Sequence, residues 1–342
     1  METLSAQKLE QLGGMLSATS SPVILVHQHP DGDAVGSAVA MAVFIKQAYG
    51  TAPKILLPDE AAYTLDFLQE IHPVIIYSRK RSAALKAIAS ADLILCLDCA
   101  SLERTGELRD AAVKSPAPRI LIDHHLSPRE DEFGLVFSET EISSACELLY
   151  HVLNGLKRPE CLVRSCLEAI LTGITTDTNN FANSVFPTTL TTVSEILEAG
   201  VDRDAILNRL YNQYRENRVR AMGFLLSRKM SITDEGVAII FLNGHLNRRF
   251  ALREGETEGL VNIPLSIDRV RMSIFLKEEG NLIRVSIRSK KGTSANLMAQ
   301  NYFNGGGHEN AAGGRLVRRR GLSSYREITD YVRRACKEFF AA

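Results

Sequence analysis

The stretch Arg119-Ile120-Leu121-Ile122-Asp123-His124-His125 decides the fold. An apolar run too short for a helix ends in an acid and two imidazoles, as a buried strand does where it reaches the ligand-binding edge of a parallel sheet. The same pattern recurs. Val23-Ile24-Leu25-Val26 runs into His27-Gln28-His29-Pro30-Asp31-Gly32-Asp33-Ala34-Val35-Gly36-Ser37, and Leu93-Ile94-Leu95-Cys96-Leu97 ends in Asp98. Downstream, Gly173-Ile174-Thr175-Thr176 leads to Asp177. The C-terminal ends of parallel strands converge on one edge. A single carboxylate pair is weak testimony, but four acid/His clusters in one half of a chain specify a dinuclear metal site.

The pattern predicts strands over 23–27, 54–57, 74–77, 93–98 and 119–123, and helices over 5–19, 36–49, 82–88 and 143–153. Such alternation gives a parallel sheet with helices on both faces. Residues 161–175 lack alternation and are expected to form a buried helix that delivers Asp177. Past Pro187 the chain turns polar and helical to about residue 230, with a break at Gly200 and Asp202. Residues 211–218 have no continuous apolar face, as in an exposed connector. From Gly236 the period becomes two, over 237–242, 270–277 and 282–289. Glu278-Glu279-Gly280-Asn281 supplies a hairpin turn between the last two. A helix over 294–303 then leads into Gly305-Gly306-Gly307-His308. The fold class is α/β: an N-terminal parallel-sheet domain, a helical linker and a smaller C-terminal α/β domain.

A length of 342 residues gives two domains at roughly 150 residues each. No apolar run approaches the roughly 20 residues that span a bilayer. The start, Met1-Glu2-Thr3-Leu4-Ser5-Ala6-Gln7-Lys8-Leu9-Glu10, lacks the basic and apolar regions of a signal peptide. The six cysteines show no framework spacing, so a cytoplasmic location with reduced thiols is expected. Cys96 and Cys99 form a CxxC without the second pair of a zinc site or the helix start of a redox site, and are expected in the core. Lys and Arg balance Asp and Glu at 40 each, but unevenly. Residues 1–244 hold 22 basic against 30 acidic side chains, and residues 245–342 hold 18 against 10. An acidic half concentrates metal ions and a basic half attracts anionic substrate.

Pro30 and Gly32 bend the chain so that His27, Asp31 and Asp33 face a common point outside a regular helix, and Gly36 and Ser37 then open a helix whose amides favour anions. Mixed His/carboxylate ligation suits Mn²⁺ better than Ca²⁺ or a thiolate-bound metal. Two such ions, roughly 3.5–4 Å apart, share a carboxylate and assist in-line phosphoryl displacement. In the C-terminal half, Gly305, Gly306 and Gly307 before a small-residue helical start let amides approach an anion. His308 adds a donor, and Arg288-Ser289 supplies a guanidinium fork. The alternative is a tight turn with a helix packed on Ala311 and Ala312. Arg318-Arg319-Arg320 reads as a solvated face rather than an RNA contact, and 6% aromatics without tryptophan argue against a long stacking platform.

These motifs resemble the DHH phosphoesterase family with its DHHA1 substrate domain, over most of the chain. The likeness is greatest to the oligoribonuclease/pAp phosphatase group. It implies a DHH catalytic domain over 1–187, a helical linker over 188–232 and a DHHA1 domain over 233–342. It implies further that His27 and Asp31 bind one metal, that Asp33, His124 and Asp177 bind the other, and that Asp98 bridges both. His125 is then expected on the scissile phosphate or leaving group, with Asp123 orienting the site. Arg288, Ser289, Gly305, Gly306, Gly307 and His308 are expected to hold the substrate's nucleobase and phosphate.

The activity so implied, with two Mn²⁺ ions, is release of mononucleotides from very short RNA, together with pAp dephosphorylation. A cyclic-dinucleotide phosphodiesterase, acting on cyclic di-AMP or linear pApA, is the alternative within the family. A pyrophosphatase is disfavoured by the Gly-rich motif, and a RecJ-like exonuclease by the absence of further nucleic-acid-binding domains. A non-catalytic nucleotide sensor is disfavoured by the intact acid/His set. The sequence leaves the oligomeric state open, with a homodimer among the states it allows.

Overall fold

Short Val-, Ile- and Leu-rich runs form the strands of a six-stranded sheet in the N-terminal unit, Met1–Gln213. The computed structural model describes residues 4–253, 255–318, 322 and 324–341. Arg319 and Arg320 of the basic run, and residues 1–3 of the N-terminal stretch, lie outside the described residues. The chain runs α1 (Ala6–Ala18), β1 (Pro22–Leu25), α2 (Gly32–Tyr49), β2 (Lys54–Leu57), α3 (Asp66–Ile71), β3 (Val74–Ile76), α4 (Arg81–Ala89) and β4 (Leu93–Leu97). It continues through α5 (Arg109–Lys114), β5 (Arg119–Asp123), β6 (Leu135–Ser138), α6 (Ala145–Gly155), α7 (Arg164–Asp177), α8 (Pro187–Glu198) and α9 (Arg203–Tyr211).

All neighbours in this sheet are parallel, in the order β3-β2-β1-β4-β5-β6. Alternate residues of one strand enter different cores. Ile24 joins Leu95 and Ile122 on one face, and Val23 and Leu25 join Ile94, Cys96 and Leu121 on the other. That is why the runs are continuously apolar: helices cover both faces. Cys96 and Cys99 are buried in the second core, and all six cysteines are free. The order changes direction between β1 and β4, which opens a crevice at their C-terminal ends. The motif residues follow those two strands and β5.

Helices α2 and α7 approach closely because glycine permits it. A Cβ on Gly36 would stand 2.6 Å from the Ala169 carbonyl oxygen, and one on Gly173 would stand 2.8 Å from Asp33 Oδ1.

Two N-terminal features differ from expectation. Helix α2 starts at Gly32, four residues early, because the Asp31 carboxylate accepts the amides of Asp33 and Ala34 at 3.0 Å each and caps it. Asp33 therefore sits in the first helical turn, and Gly36 and Ser37, expected to open the helix, lie inside it. Strand β6 joins the sheet beyond β5 without a clear sequence signal.

The C-terminal unit, Tyr214–Ala342, holds α10 (Glu216–Arg228), β7 (Ser231–Ile232), β8 (Val237–Leu242), α11 (Gly244–Arg249), β9 (Met272–Glu279) and β10 (Leu282–Ser289). Then come α12 (Ala295–Tyr302), β11 (Gly306–Gly307), β12 (Ala311–Val317) and α13 (Tyr325–Ala341). Its sheet order is β11-β12-β10-β9-β8-β7, parallel only between β8 and β9. Helices α12 and α13 bury Met298, Ile328 and Val332 against one face, and Leu225 of α10 packs with Ile240 and Phe275 on the other.

Residues 311–317 form a strand, not the expected helix. The small residues Ala312 and Gly313 let β11 pair closely beside them. The segment 211–218 is not wholly exposed: Arg218 is buried and donates to the carbonyls of Glu256 and Glu258, while Arg215 pairs with Glu256 at 2.6 Å. Among the described residues no helix is long and apolar enough to cross a membrane.

Candidate metal centre

Leaving β1, the chain places His27 at the crevice, where its Nδ1 lies 2.7 Å from the Gln28 carbonyl oxygen. A proton on Nδ1 satisfies that contact and leaves the Nε2 lone pair for a ligand. Nε2 faces Asp98 Oδ2 at 3.3 Å and Asp31 Oδ1 at 3.8 Å. Asp33, from the first turn of α2, does not join this group. Its carboxylate accepts the amides of Ala145 and Cys146 at the start of α6, at 2.7 and 2.9 Å. It faces His124 Nε2 at 3.7 Å. Asp177, the last residue of α7, reaches the same nitrogen at 3.6 Å.

Two triads result, His27/Asp31/Asp98 and Asp33/His124/Asp177, each with its ligand atoms within 4.8 Å of one another. Asp98 stands between them. Its other oxygen, Oδ1, lies 3.5 Å from His124 Nε2 and is buried without a hydrogen bond. Its backbone holds φ at 54°, a left-handed conformation that Asp tolerates better than most residues. A buried carboxylate oxygen without a hydrogen bond, faced by ring nitrogens of His124 and His125 at 3.5 and 3.4 Å, calls for a cation. The donor set of imidazoles and carboxylates fits a divalent ion of the first transition row.

The electrostatics agree. Burial opposes a charged imidazole at His27, but hydrogen bonds and charge from Asp31 and Asp98 outweigh it and raise the pKa to about 10. At His124 burial is likewise outweighed by Asp177, Asp98 and Asp33, again giving about 10. Burial and the charges of Asp98 and Asp177 push Asp33 well above the usual carboxylate range. Protons thus take the place of cations among crowded carboxylates.

His125 lies beside the triads. Its amide donates to Asp123 Oδ2 at 3.0 Å, and its Nδ1 lies 3.0 Å from Asp123 Oδ1. Asp123 is fully buried and also accepts the Ala100 amide, so its oxygens are committed to holding this loop. The far nitrogen of His125, Nε2, meets Arg104 Nη1 at 2.7 Å. Arg104 escapes a sequence reading because it lies in a 3₁₀ segment, Leu102–Leu108, with no periodicity to mark it. The only cue is its position six residues after Asp98. Its carbonyl also accepts the Gln28 amide at 2.7 Å, tying this segment to the His27 loop. His29 is exposed, and His72 is buried with its Nδ1 3.0 Å from the Pro73 carbonyl oxygen.

In the C-terminal unit Arg288 and Ser289 end β10, and the glycines lie in the hairpin of β11 and β12. The expected amide cradle is not formed by these N–H groups. The amides of Gly305, Gly307 and His308 donate to the Ala299 carbonyl, Asn296 Oδ1 and the Ala311 carbonyl. The Ser289 hydroxyl is buried and donates to the Thr293 carbonyl at 2.6 Å. The glycines serve close strand pairing, and the Arg288 guanidinium donates to the Ile287 carbonyl at 3.0 Å.

Residues 22–174 match the N-terminal domain of the DHH family, and residues 234–338 match the DHHA1 domain. The bifunctional oligoribonuclease and PAP phosphatase NrnA of Bacillus subtilis is 30% identical over 298 residues, covering 85% of this chain and 88% of that protein. The chain belongs to the DHH family. The DHH match takes in His27, Asp31, Asp33, Asp98 and His124 and stops just short of Asp177. The protein of the same description from Thermus thermophilus is 30% identical, covering 96% of this chain and 94% of its own. An exopolyphosphatase-related protein from Bacteroides fragilis is similar in structure, with a TM-score of 0.90 and 33% identity over 98% of this chain and 97% of that one. These likenesses extend through both DHH and DHHA1 parts, so the two-domain α/β architecture is that of the family.

Proposed function

We propose that this DHH-family chain is a hydrolase that cleaves short oligoribonucleotides to mononucleotides and pAp to AMP and phosphate. Residues 1–187 carry the chemistry, 188–232 link, 233–342 bind substrate, and the enzyme works in the cytoplasm. The observation that carries the reading is the two-sided Asp98 carboxylate between the triads of His27 and His124. The oligoribonuclease and PAP phosphatase relatives supply the substrate class.

Two divalent cations, Mn²⁺ by the donor set, would be held by His27, Asp31 and Asp98 and by Asp33, His124, Asp177 and Asp98. When bound, they supply Lewis acidity and activation of water for in-line displacement at phosphorus. The chain's own work is positioning. The Gln28 carbonyl fixes the ring of His27, and the α6 amides fix Asp33. Asp123 holds His125 with Nε2 directed to Arg104. Arg104 then holds a permanent positive charge beside the cluster, placed to contact a phosphate oxygen. Each turnover adds one water across a P–O bond, giving two mononucleotides from a dinucleotide or AMP and phosphate from pAp. Arg288 and His308 bind the part of the substrate that does not react.

A side-by-side assay with Mn²⁺ on dinucleotide RNA, longer RNA, pAp, cyclic di-AMP and pyrophosphate tests the reading. Dinucleotide RNA and pAp should have the highest kcat/KM. Faster turnover of cyclic di-AMP or pyrophosphate would replace this substrate assignment.

A further inference from the structure

The basic excess of the C-terminal half has a structural focus away from the Gly-rich motif. The motif lies at the β11 edge of the second sheet, and β7 forms the opposite edge. Beside β7, an open cavity of about 430 Å³ lies among the end of α10, β8 and the first turns of α13. Arg228, Lys229, Arg326 and Arg333 line it, against the single acid Asp330. Arg326 has an acidic partner there, Asp330 at 3.8 Å. Among the described residues, no acid pairs with Arg228, Lys229 or Arg333. Two other cations of this unit are matched to acids, Arg215 to Glu256 and Arg318 to Glu278. Uncompensated cations around one concavity repel one another and favour an anion.

An aromatic platform stands in the same cavity. The ring of Tyr325 lies parallel to the buried ring of Phe241, at 5.2 Å and 8°, and Tyr325 remains 45% exposed. One face of Tyr325 is fixed by Phe241, so the ring is held rigidly with area left for a second planar partner. A flat surface beside several cations recognises a base and its phosphate together. The volume lies within the roughly 300–1,000 Å³ of small-ligand sites.

We infer that this cavity is a second nucleotide site, which stacks a base on Tyr325 and holds the 5′-phosphate on Arg228, Lys229 and Arg333. The nucleotide is a free mononucleotide or one end of a short single strand. The choice of ligand rests on the proposed action on short RNA, while the site itself rests on the cavity's own charge and rings.

Calorimetric titration of the Mn²⁺-loaded full chain with 5′-AMP, inorganic phosphate and adenosine tests the site, alongside kinetics on a pentaribonucleotide and on pAp. Tyr325→Ala and the double variant Arg228→Ala/Arg333→Ala should each bind one AMP fewer per chain than the wild type, or bind it at least about 10-fold more weakly. Tyr325→Phe, which keeps the stack, should bind as the wild type does and so controls for folding. A raised KM for the pentamer with an unchanged KM for pAp marks a strand end as ligand, and unchanged KM for both marks the free nucleotide. Undiminished AMP binding by both alanine variants overturns the site. Phosphate binding as tight as AMP, indifferent to Tyr325→Ala, overturns the base-stacking assignment. Sedimentation that shows a wild-type dimer and monomeric variants overturns it in favour of self-association. If AMP binding falls as expected while no RNA or pAp is hydrolysed, the site stands and the proposed function fails.

Discussion

Asp98 Oδ2 lies 3.3 Å from His27 Nε2, so this carboxylate of the second motif is turned toward the imidazole of the first. The contact joins segments about seventy residues apart because β1 and β4 are neighbours at the point where strand order changes direction. It leaves the second oxygen of Asp98 for the His124 side. The architecture of the sheet therefore sets the chemistry at its edge.

The histidines give a pH dependence whose sign is fixed. Burial alone would lower the pKa of His27 and His124, but their carboxylate partners raise both to about 10. An unfolded histidine titrates near 6.5. Protonation therefore stabilises the metal-free fold, fully below about pH 6.5, and this contribution is lost as pH rises through about 10. The Tm of EDTA-treated protein should decline across that window. Divalent cations bind neutral imidazole, so Mn²⁺ affinity should rise over the same range with release of protons. Calorimetry in two buffers of different ionisation enthalpy counts those protons, and none released at pH 7 would contradict the assignment.

Arg104→Ala should lower kcat/KM on dinucleotide RNA by about 10- to 100-fold, the scale of one charge-assisted phosphate contact. Bound Mn²⁺ should be unchanged, since the Arg104 guanidinium meets His125, which belongs to neither triad. Added guanidinium should restore part of the rate. Full activity in the alanine variant would remove Arg104 from the phosphate.

Arg288→Ala and His308→Ala should leave metal binding intact and reduce kcat/KM on short RNA or pAp by one to two orders of magnitude, on the scale of roughly 1.5–3 kcal/mol per charged contact. A minimal ester such as bis-p-nitrophenyl phosphate should be affected much less, because remote binding energy positions only the natural substrate. Equal losses on both would assign these residues to the chemistry or the fold.

Gly173→Ala should destabilise the protein by about 1–3 kcal/mol, since the methyl would press on Cys146 and stand 2.8 Å from Asp33 Oδ1. Thermal melts with and without Mn²⁺ measure it. The variant should also bind Mn²⁺ less tightly, and wild-type stability with wild-type affinity would show that the α2–α7 contact does not hold Asp33.

The central strands were legible because both faces of the sheet are covered, which forces unbroken apolar runs such as Leu93–Leu97. The start of α2 was not, because Asp31 serves as both cap and candidate ligand, and a Pro-Asp-Gly-Asp string reads as a turn. Strand β6 was not expected, although Leu135-Val136-Phe137 is an apolar run as short as that of β3. The small residues after His308 suit a tight helix and a close hairpin equally, and only pairing with β10 and β11 selects the strand. Arg104 depends on a contact with His125 that no spacing encodes.

The proposed bridging role of Asp98 is tested most directly by counting metal and turnover together. Wild-type protein loaded with Mn²⁺ and desalted should carry two ions per chain and hydrolyse dinucleotide RNA. Asp98→Ala should keep its circular-dichroism spectrum, lose at least one ion and lose turnover. An Asp98→Ala protein, freshly loaded with Mn²⁺, that retains both ions and near wild-type rates would contradict the dinuclear assignment.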